Sequence, residues 1–158
     1  MIKNQLEKNF KAHVEAFEID AGQFKYFNSS NMLDINANNL ELTINNSKSN
    51  IILLDLGNDN YDYLCDDIIY LIEPSIIKIN RLLSEKRDIF MNLNNKKVVL
   101  NKSSLTDAEV SIFGKEAGVS IYYNIPYLND RLDNSVINNF INKLGIVNGN
   151  QGLFSLFK

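Results

Sequence analysis

The stretch Asn50–Asn58, "NIILLDLGN", carries the clearest signal for the fold of this chain. Four consecutive apolar residues lead to Asp55, and Gly57 follows two residues later. A continuous apolar run of this length is typical of a strand that is covered on both faces. Such strands occur in parallel sheets, because the crossover helices pack on either side. The stretch therefore predicts a buried strand of a parallel sheet, with an acid at its carboxyl end.

Segments of strand type and helix type alternate on both sides of this stretch. Four further strands are predicted from short apolar or alternating runs: "HVEAFEID" (13–20), "DDIIYLIEP" (66–74), "KKVVLNK" (96–102) and "VSIYYNIP" (119–126). Helices are predicted from apolar residues three and four apart, at residues 2–10, 38–46, 75–93, 104–118 and 133–145. The aromatic segment "GQFKYFNSSNMLD" (22–34) is interpreted as a turn or a short helix.

Three of the predicted helices carry end signals. Ser75 is a candidate N-cap for the helix that follows Pro74. Thr106, with Glu109 three residues later, forms the pattern of a capping box. Gly118 and Gly145 are expected to end their helices, since glycine readily adopts the left-handed conformation of a C-cap.

The alternation of strands and helices predicts an α/β fold class. We expect a three-layer, mostly parallel sheet with helices on both faces, resembling an incomplete nucleotide-hydrolase domain. The chain has 158 residues, enough for one domain with a sizeable core. We expect that domain at residues 1–147 and a short apolar tail at residues 148–158.

Composition excludes several classes of function. A net charge of -3 offers no basic face for nucleic acid, so no direct nucleic-acid contact is expected. No apolar run approaches the roughly 20 residues of a membrane span, and the first residues have no apolar signal core. His13 and Cys65 are the only residues of their types, which argues against a His/Cys zinc site and an internal disulfide. A cytoplasmic location is expected.

Candidate site residues follow from the strand ends, because ligands of such sheets bind beyond the carboxyl ends of the strands. Asp55 could hold a magnesium ion, and Gly57 would let the backbone approach a phosphate. Asp55 could equally be an acid in an ordinary turn between strand and loop. Asp20, which ends another predicted strand, could orient an attacking water or cap the segment that follows.

A second group of candidates follows the later strands. Asn101, beside Lys102, could present a donor and an acceptor to the edge of an adenine base, or could simply form a turn. Pro126 ends the strand "VSIYYNIP" and could direct a loop that lines the same pocket, or mark an ordinary turn.

Five stretches, in this order, resemble the ParA/MinD superfamily of deviant Walker ATPases. They are "AFEID" (16–20), "NIILLDLGN" (50–58), "DDIIYLIEPS" (66–75), "KKVVLNKS" (96–103) and "IYYNIPYLNDR" (121–131). Within that superfamily the chain looks most similar to the CpaE/TadZ-type pilus-assembly branch and related clostridial ATPase-like proteins. The resemblance covers residues 1–145.

The resemblance implies roles for individual residues. Asp20 matches the water-orienting position and Asp55 the position that binds magnesium. Asn101, with Lys102, and Pro126 match positions that line the adenine pocket.

The chain departs from the family at its phosphate loop. The family begins with a strand and a glycine-rich loop that ends in Gly-Lys-Thr or Gly-Lys-Ser, and this sequence contains neither tripeptide. Without that loop, backbone amides and a lysine are missing from the phosphate site. In the family the missing strand lies in the middle of the sheet. We therefore expect either that the sheet closes up or that a second chain supplies the missing contact.

Three functions remain open at this point. The chain could be a noncatalytic ParA/MinD-like interaction or scaffold module in a bacterial assembly or positioning system. It could be part of an active ATPase whose phosphate loop is supplied elsewhere, with ATP and magnesium as cofactors. It could also bind a nucleotide without hydrolysing it. In this chain alone we expect no cofactor.

A protein partner or a homodimer is the expected binding partner. A weaker expectation concerns the tail, where Leu153, Phe154, Leu156 and Phe157 fall within five residues. These side chains could touch a membrane or pack on their own domain, and one lysine is little charge for firm membrane binding.

Overall fold

The computed structural model describes residues 1–20, 23–26, 37–57, 61–128 and 134–146. Within these residues the helices are α1 (Ile2–Asn9), α2 (Ala37–Asn46), α3 (Ile76–Glu85), α4 (Ile89–Asn92), α5 (Asp107–Ala117) and α6 (Asn134–Leu144). The strands are β1 (Val14–Asp20), β2 (Gln23–Tyr26), β3 (Ile51–Asp55), β4 (Ile69–Ile72), β5 (Lys97–Ser103) and β6 (Ile121–Pro126). A short 3-10 helix spans Asp62–Leu64. The predicted tail residues Leu153, Phe154, Leu156 and Phe157 lie outside the described residues.

These elements belong to two compact units, which we call unit 1 and unit 2. Unit 1 contains the described residues of 1–68 and 137–146, and unit 2 contains the described residues of 69–136. Each unit has its own three-stranded sheet, in the order β2-β1-β3 in unit 1 and β4-β5-β6 in unit 2.

In unit 1 the central strand is β1. It runs parallel to β3, with Val14 opposite Ile51, and antiparallel to β2. One face of this sheet packs on α2 through a cluster of buried side chains: Phe17, Ile19, Phe24, Leu40, Ile44, Ile52, Leu54 and Leu56. Side chains of a strand alternate between faces, so the buried Ile51 and Leu53 occupy the other face. Both faces of β3 are therefore covered, as its apolar run predicts.

In unit 2 the central strand is β5, and it runs parallel to both β4 and β6. Val98 and Leu100 lie in a buried cluster with Ile72, Leu93 and Val119. The ring of Phe90 in α4 meets the ring of Phe113 in α5 edge to face, with centroids 6.2 Å apart. Helices α4 and α5 thus close one apolar core over this sheet.

The α/β fold class with mostly parallel strands is confirmed, since three of the four strand pairings among the described residues are parallel. The predicted helix ends are confirmed as well. The Ser75 side chain accepts a hydrogen bond from the Lys78 N–H at 3.3 Å. Thr106 and Glu109 form the reciprocal capping box, and Gly118 adopts the left-handed conformation with φ 69°.

Two element predictions were wrong. The segment predicted as a turn or short helix at 22–34 contains the strand β2, which pairs with β1 in a hairpin. Its alternating pattern buries Phe24 completely in the core of unit 1, and that burial favours the extended conformation. The remaining residues of that segment, 22 and 27–34, lie outside the described part of the chain.

The single helix predicted at 75–93 is two helices, α3 and α4. The helical hydrogen bonding ends at Lys86, whose N–H donates to the Leu82 carbonyl at 2.9 Å. Lys86, Arg87 and Asp88 offer no apolar side chain to the core, whereas Phe90 and Leu93 pack against it. A break at the charged residues lets α4 turn its apolar side chains onto the same cluster.

Candidate functional site

Asp55 is the last residue of β3, at the carboxyl end of the unit 1 sheet. It lies directly opposite Glu18 of the parallel strand β1. Partial burial raises the pKa of the Asp55 carboxyl, and the negative charge of Glu18 raises it further. The Gly57 N–H opposes this shift by donating a hydrogen bond to the carboxylate. The structure thus places a further carboxylate, that of Glu18, beside Asp55.

Gly57 turns back onto the aspartate that precedes it. Its N–H donates to Asp55 Oδ1 at 3.3 Å, and its φ is 54°. An added Cβ would lie 3.9 Å from the Ile19 carbonyl oxygen, so there is room for a side chain. The glycine is required by the left-handed backbone and not by crowding.

Asp20, the predicted water-orienting residue, is the last residue of β1. Its backbone pairs with Gln23 of β2, two positions beyond Glu18. The backbone of Asp20 and the carboxylate of Asp55 therefore lie at the same end of the unit 1 sheet. The side chain of Asp20 is outside what the structure describes.

Glu18 was not predicted as a site residue. It stands inside the predicted strand "HVEAFEID", where an acid is most simply interpreted as a solvated residue of one face. Only the pairing register, with Val14 opposite Ile51, brings it beside Asp55. Register between strands that are distant in sequence is set by packing, and no local signal reports it.

The second group of candidates meets at the carboxyl ends of β5 and β6 in unit 2. Asn101 Oδ1 accepts a hydrogen bond from the Lys102 N–H at 3.1 Å, and Lys102 has a left-handed φ of 52°. This irregularity shifts the register so that Ser103 pairs with Pro126. Asn101, Lys102 and Pro126 are therefore brought to one end of this sheet, as the sequence predicted.

A further asparagine, Asn124, belongs to this end of unit 2 and was not singled out from the sequence. Its Nδ2 donates to the Leu105 carbonyl at 3.2 Å. Its Oδ1 is buried and accepts no hydrogen bond within the described residues. A buried acceptor without a donor is unusual and is the kind of group that a ligand can satisfy.

The chemistry available at the two sheet ends differs. Asp55 and Glu18 offer carboxylate oxygens, the ligand type that magnesium prefers, and a cation between them would relieve their repulsion. Among the described residues, no group of three or more His, Cys, Asp or Glu side chains is arranged to share a metal ion. The unit 2 end offers amide groups of Asn101 and Asn124, which can pair with neutral donors and acceptors.

Over the described ranges, no helix is both long enough and apolar enough to cross a membrane. Comparisons with protein-family models, with curated proteins and with solved structures gave no match for this chain.

Proposed function

We propose that this chain is a noncatalytic ParA/MinD-like domain that acts as an interaction or scaffold module. The proposal has two parts, a sheet end that does not hydrolyse nucleotide and a surface that binds protein. By the resemblance, its setting would be a cytoplasmic system for polar positioning or pilus-type assembly.

One observation carries the first part. The Gly57 N–H, which would have to meet a terminal phosphate, donates to the carboxylate of Asp55. Beside it stands the second carboxylate, Glu18, so the approach is negatively charged. A phosphate would need cations and backbone donors to overcome that charge, and the sequence contains no Gly-Lys-Thr or Gly-Lys-Ser.

Calorimetric titration with ATP and ADP, with and without magnesium, tests this part together with phosphate release. We expect a Kd weaker than about 1 mM for each nucleotide and no release of phosphate above the protein-free rate. Magnesium-dependent hydrolysis that disappears in Asp55→Asn would overturn the proposal and support an active ATPase. An in-frame Gly-Lys-Thr immediately upstream of the coding sequence would support that same alternative.

A second candidate function is nucleotide binding without hydrolysis, and the buried Oδ1 of Asn124 favours it. This acceptor could take a hydrogen bond from the amino group of a base, at the sheet end that also carries Asn101 and Pro126. Submillimolar binding of ADP that is lost in Asn124→Leu, and unchanged in Asp55→Asn, would favour this function. Leucine matches asparagine in size and removes only the polar groups.

A further inference from the structure

An open cleft of about 440 Å³ lies beside helix α2 and the sheet of unit 1. Glu15 of β1 and Tyr26 of β2 line it from the sheet, and Asn46 and Ser47 line it at the end of α2. Of the described residues that line the cleft, Glu15 is the only one with a charge. Glu15 is the second residue of β1, so the cleft lies away from the strand ends that carry Asp55.

The register of the sheet places Glu15 on the side that α2 covers. Side chains alternate along a strand, so Glu15 shares its face with Phe17 and Ile19, which are buried in the cluster beneath α2. Glu15 also lies opposite Ile52 of β3, a member of the same cluster. An acid is uncommon at a position that faces the core unless a partner neutralises it. The position of this carboxylate therefore suggests that it has a binding partner.

The Glu15 carboxylate is held in place by a hydroxyl group. Ser47 Oγ donates a hydrogen bond to Glu15 Oε2 at 2.9 Å, and the Ser49 N–H donates to the same Oγ at 3.0 Å. None of the ion pairs between described residues includes Glu15. A carboxylate has about four acceptor sites, and one hydroxyl fills only one of them. The carboxylate is thus fixed in position, while its charge is not neutralised by a described residue.

Helix α2 ends beside the cleft and makes the potential there more negative. The carbonyl groups of the last turn of a helix carry a partial negative charge, which favours a nearby cation. Lysine or arginine often supplies that cation, but the last turn of α2 contains no basic residue. The helix end and the Glu15 carboxylate therefore both favour a positively charged group in the cleft.

We propose that this cleft binds a guanidinium group, carried by an arginine side chain or by a small alkylguanidine. A guanidinium donates two parallel hydrogen bonds to a carboxylate, and Glu15 has the acceptor sites for them. Its flat face stacks on aromatic rings, and Tyr26 supplies a ring in the cleft. Thr43 and Asn46 offer oxygen atoms to the remaining N–H groups. Leu42, which is 60% exposed, offers an apolar contact to the alkyl chain.

This inference goes beyond the proposed function, because it rests on the cleft at Glu15 and not on whether nucleotide binds or is hydrolysed. A negative calorimetric titration with nucleotide leaves it untouched. A failure to bind guanidinium leaves the nucleotide result untouched.

A two-dimensional NMR titration of the isotope-labelled chain with N-acetylarginine methylamide tests the site. We expect saturable shifts of the backbone amide signals of Glu15, Asn46 and Ser47, with a Kd of about 1–10 mM. The citrulline analogue has the same shape but no charge, and it should bind at least about tenfold more weakly. Butylguanidine distinguishes the two sources of the guanidinium. Similar affinity for both cations supports an arginine of a protein partner, and binding of butylguanidine alone supports a small molecule.

Two matched variants test the role of the carboxylate. Glu15→Gln keeps an acceptor for the Ser47 hydroxyl and removes the charge, so it should weaken binding at least about tenfold. Glu41→Gln removes an exposed acid of α2 that does not line the cleft, and it should change the Kd by less than about twofold.

Three results would overturn the proposal. They are the absence of saturable shifts for either cation up to about 50 mM, equal binding of the arginine and citrulline compounds, and undiminished binding by a folded Glu15→Gln protein. The comparison of arginine with citrulline uses the unmodified chain, so it decides the question even where the Glu15→Gln protein folds poorly.

Discussion

Burial is the main cause that raises the pKa of the Asp55 carboxyl, and the negative charge of Glu18 raises that pKa further. Ionisation of Asp55 therefore lowers the stability of the folded protein. Because the pKa of Asp55 is raised in the folded state, the protonated carboxyl contributes fully to stability below the unfolded-state pKa of about 3.9. That contribution is lost as pH rises through the folded-state pKa. Asp55→Asn should therefore be more stable than the unmodified chain at neutral pH. The gain should stay under about 1 kcal/mol, since Asp55 is only half-buried and solvent screens its charge.

Urea unfolding at neutral and strongly acidic pH measures this difference. Asparagine keeps an acceptor for the Gly57 N–H, so the two proteins should converge in acid. The companion variant Glu18→Gln should lower the pKa of Asp55 without restoring its ordinary value, because burial remains the larger cause. An Asp55→Asn protein that is less stable at neutral pH would contradict this electrostatic account.

Gly57 carries a different constraint, which lies in its backbone. With φ at 54° and free space around the missing Cβ, Gly57→Ala should lose about 1–2 kcal/mol of unfolding free energy from the left-handed conformation alone. Gly118→Ala is the matched control, because its φ is 69° and an added Cβ meets nothing within 4 Å. Denaturant unfolding should give similar losses for both. A much larger loss at Gly57 would show that more than backbone conformation depends on it.

At the scale of the element, helix α5 begins with the most complete local signal in the chain. Thr106 Oγ1 accepts from the Glu109 N–H at 3.4 Å, and Glu109 Oε2 accepts from the Thr106 N–H at 2.8 Å. Thr106→Ala should lower the free energy of unfolding by about 1 kcal/mol, because one orphan N–H of the helix loses its acceptor. Urea unfolding with linear extrapolation measures the loss.

Ser111→Ala is the control for that variant within the same helix. The Ser111 hydroxyl donates to the Asp107 carbonyl at 3.0 Å, a carbonyl that already belongs to the helix. Its removal should leave stability unchanged or slightly raised. Equal losses in both variants would contradict a specific role for the capping box.

At the scale of the whole molecule, ligand-induced stabilisation tests the proposed weak binding of nucleotide without depending on a single residue. A ligand at a concentration equal to its Kd stabilises a fold by about 0.4 kcal/mol. With a Kd weaker than about 1 mM, ATP or ADP at about 1 mM with magnesium should raise the Tm by less than about 2 °C. Thermal unfolding followed by circular dichroism measures the shift. A rise well above that bound would contradict the proposal, and Asp55→Asn and Asn124→Leu would then show which sheet end binds.

Local chemistry accounts for most of what could be predicted. The apolar run before Asp55 predicts a doubly covered strand, and the Thr106 and Gly118 signals predict both ends of α5. Hydrogen bonds within a helix and side-chain alternation within a strand involve near neighbours in sequence, so the pattern reports them directly. Where two local solutions competed, as at Phe24, burial in the tertiary core decided in favour of the strand.

The sequence alone predicts the order and type of most elements, and the α/β class that follows from their alternation. It also determined which strand carries Asp55 and which carries Asn101. Packing in three dimensions sets which strands pair and in what register. It set Glu18 beside Asp55 and, among the described residues, paired β3 with β1. The reason is physical: pairing joins residues that are far apart in sequence, and their register follows from packing on both faces of the sheet.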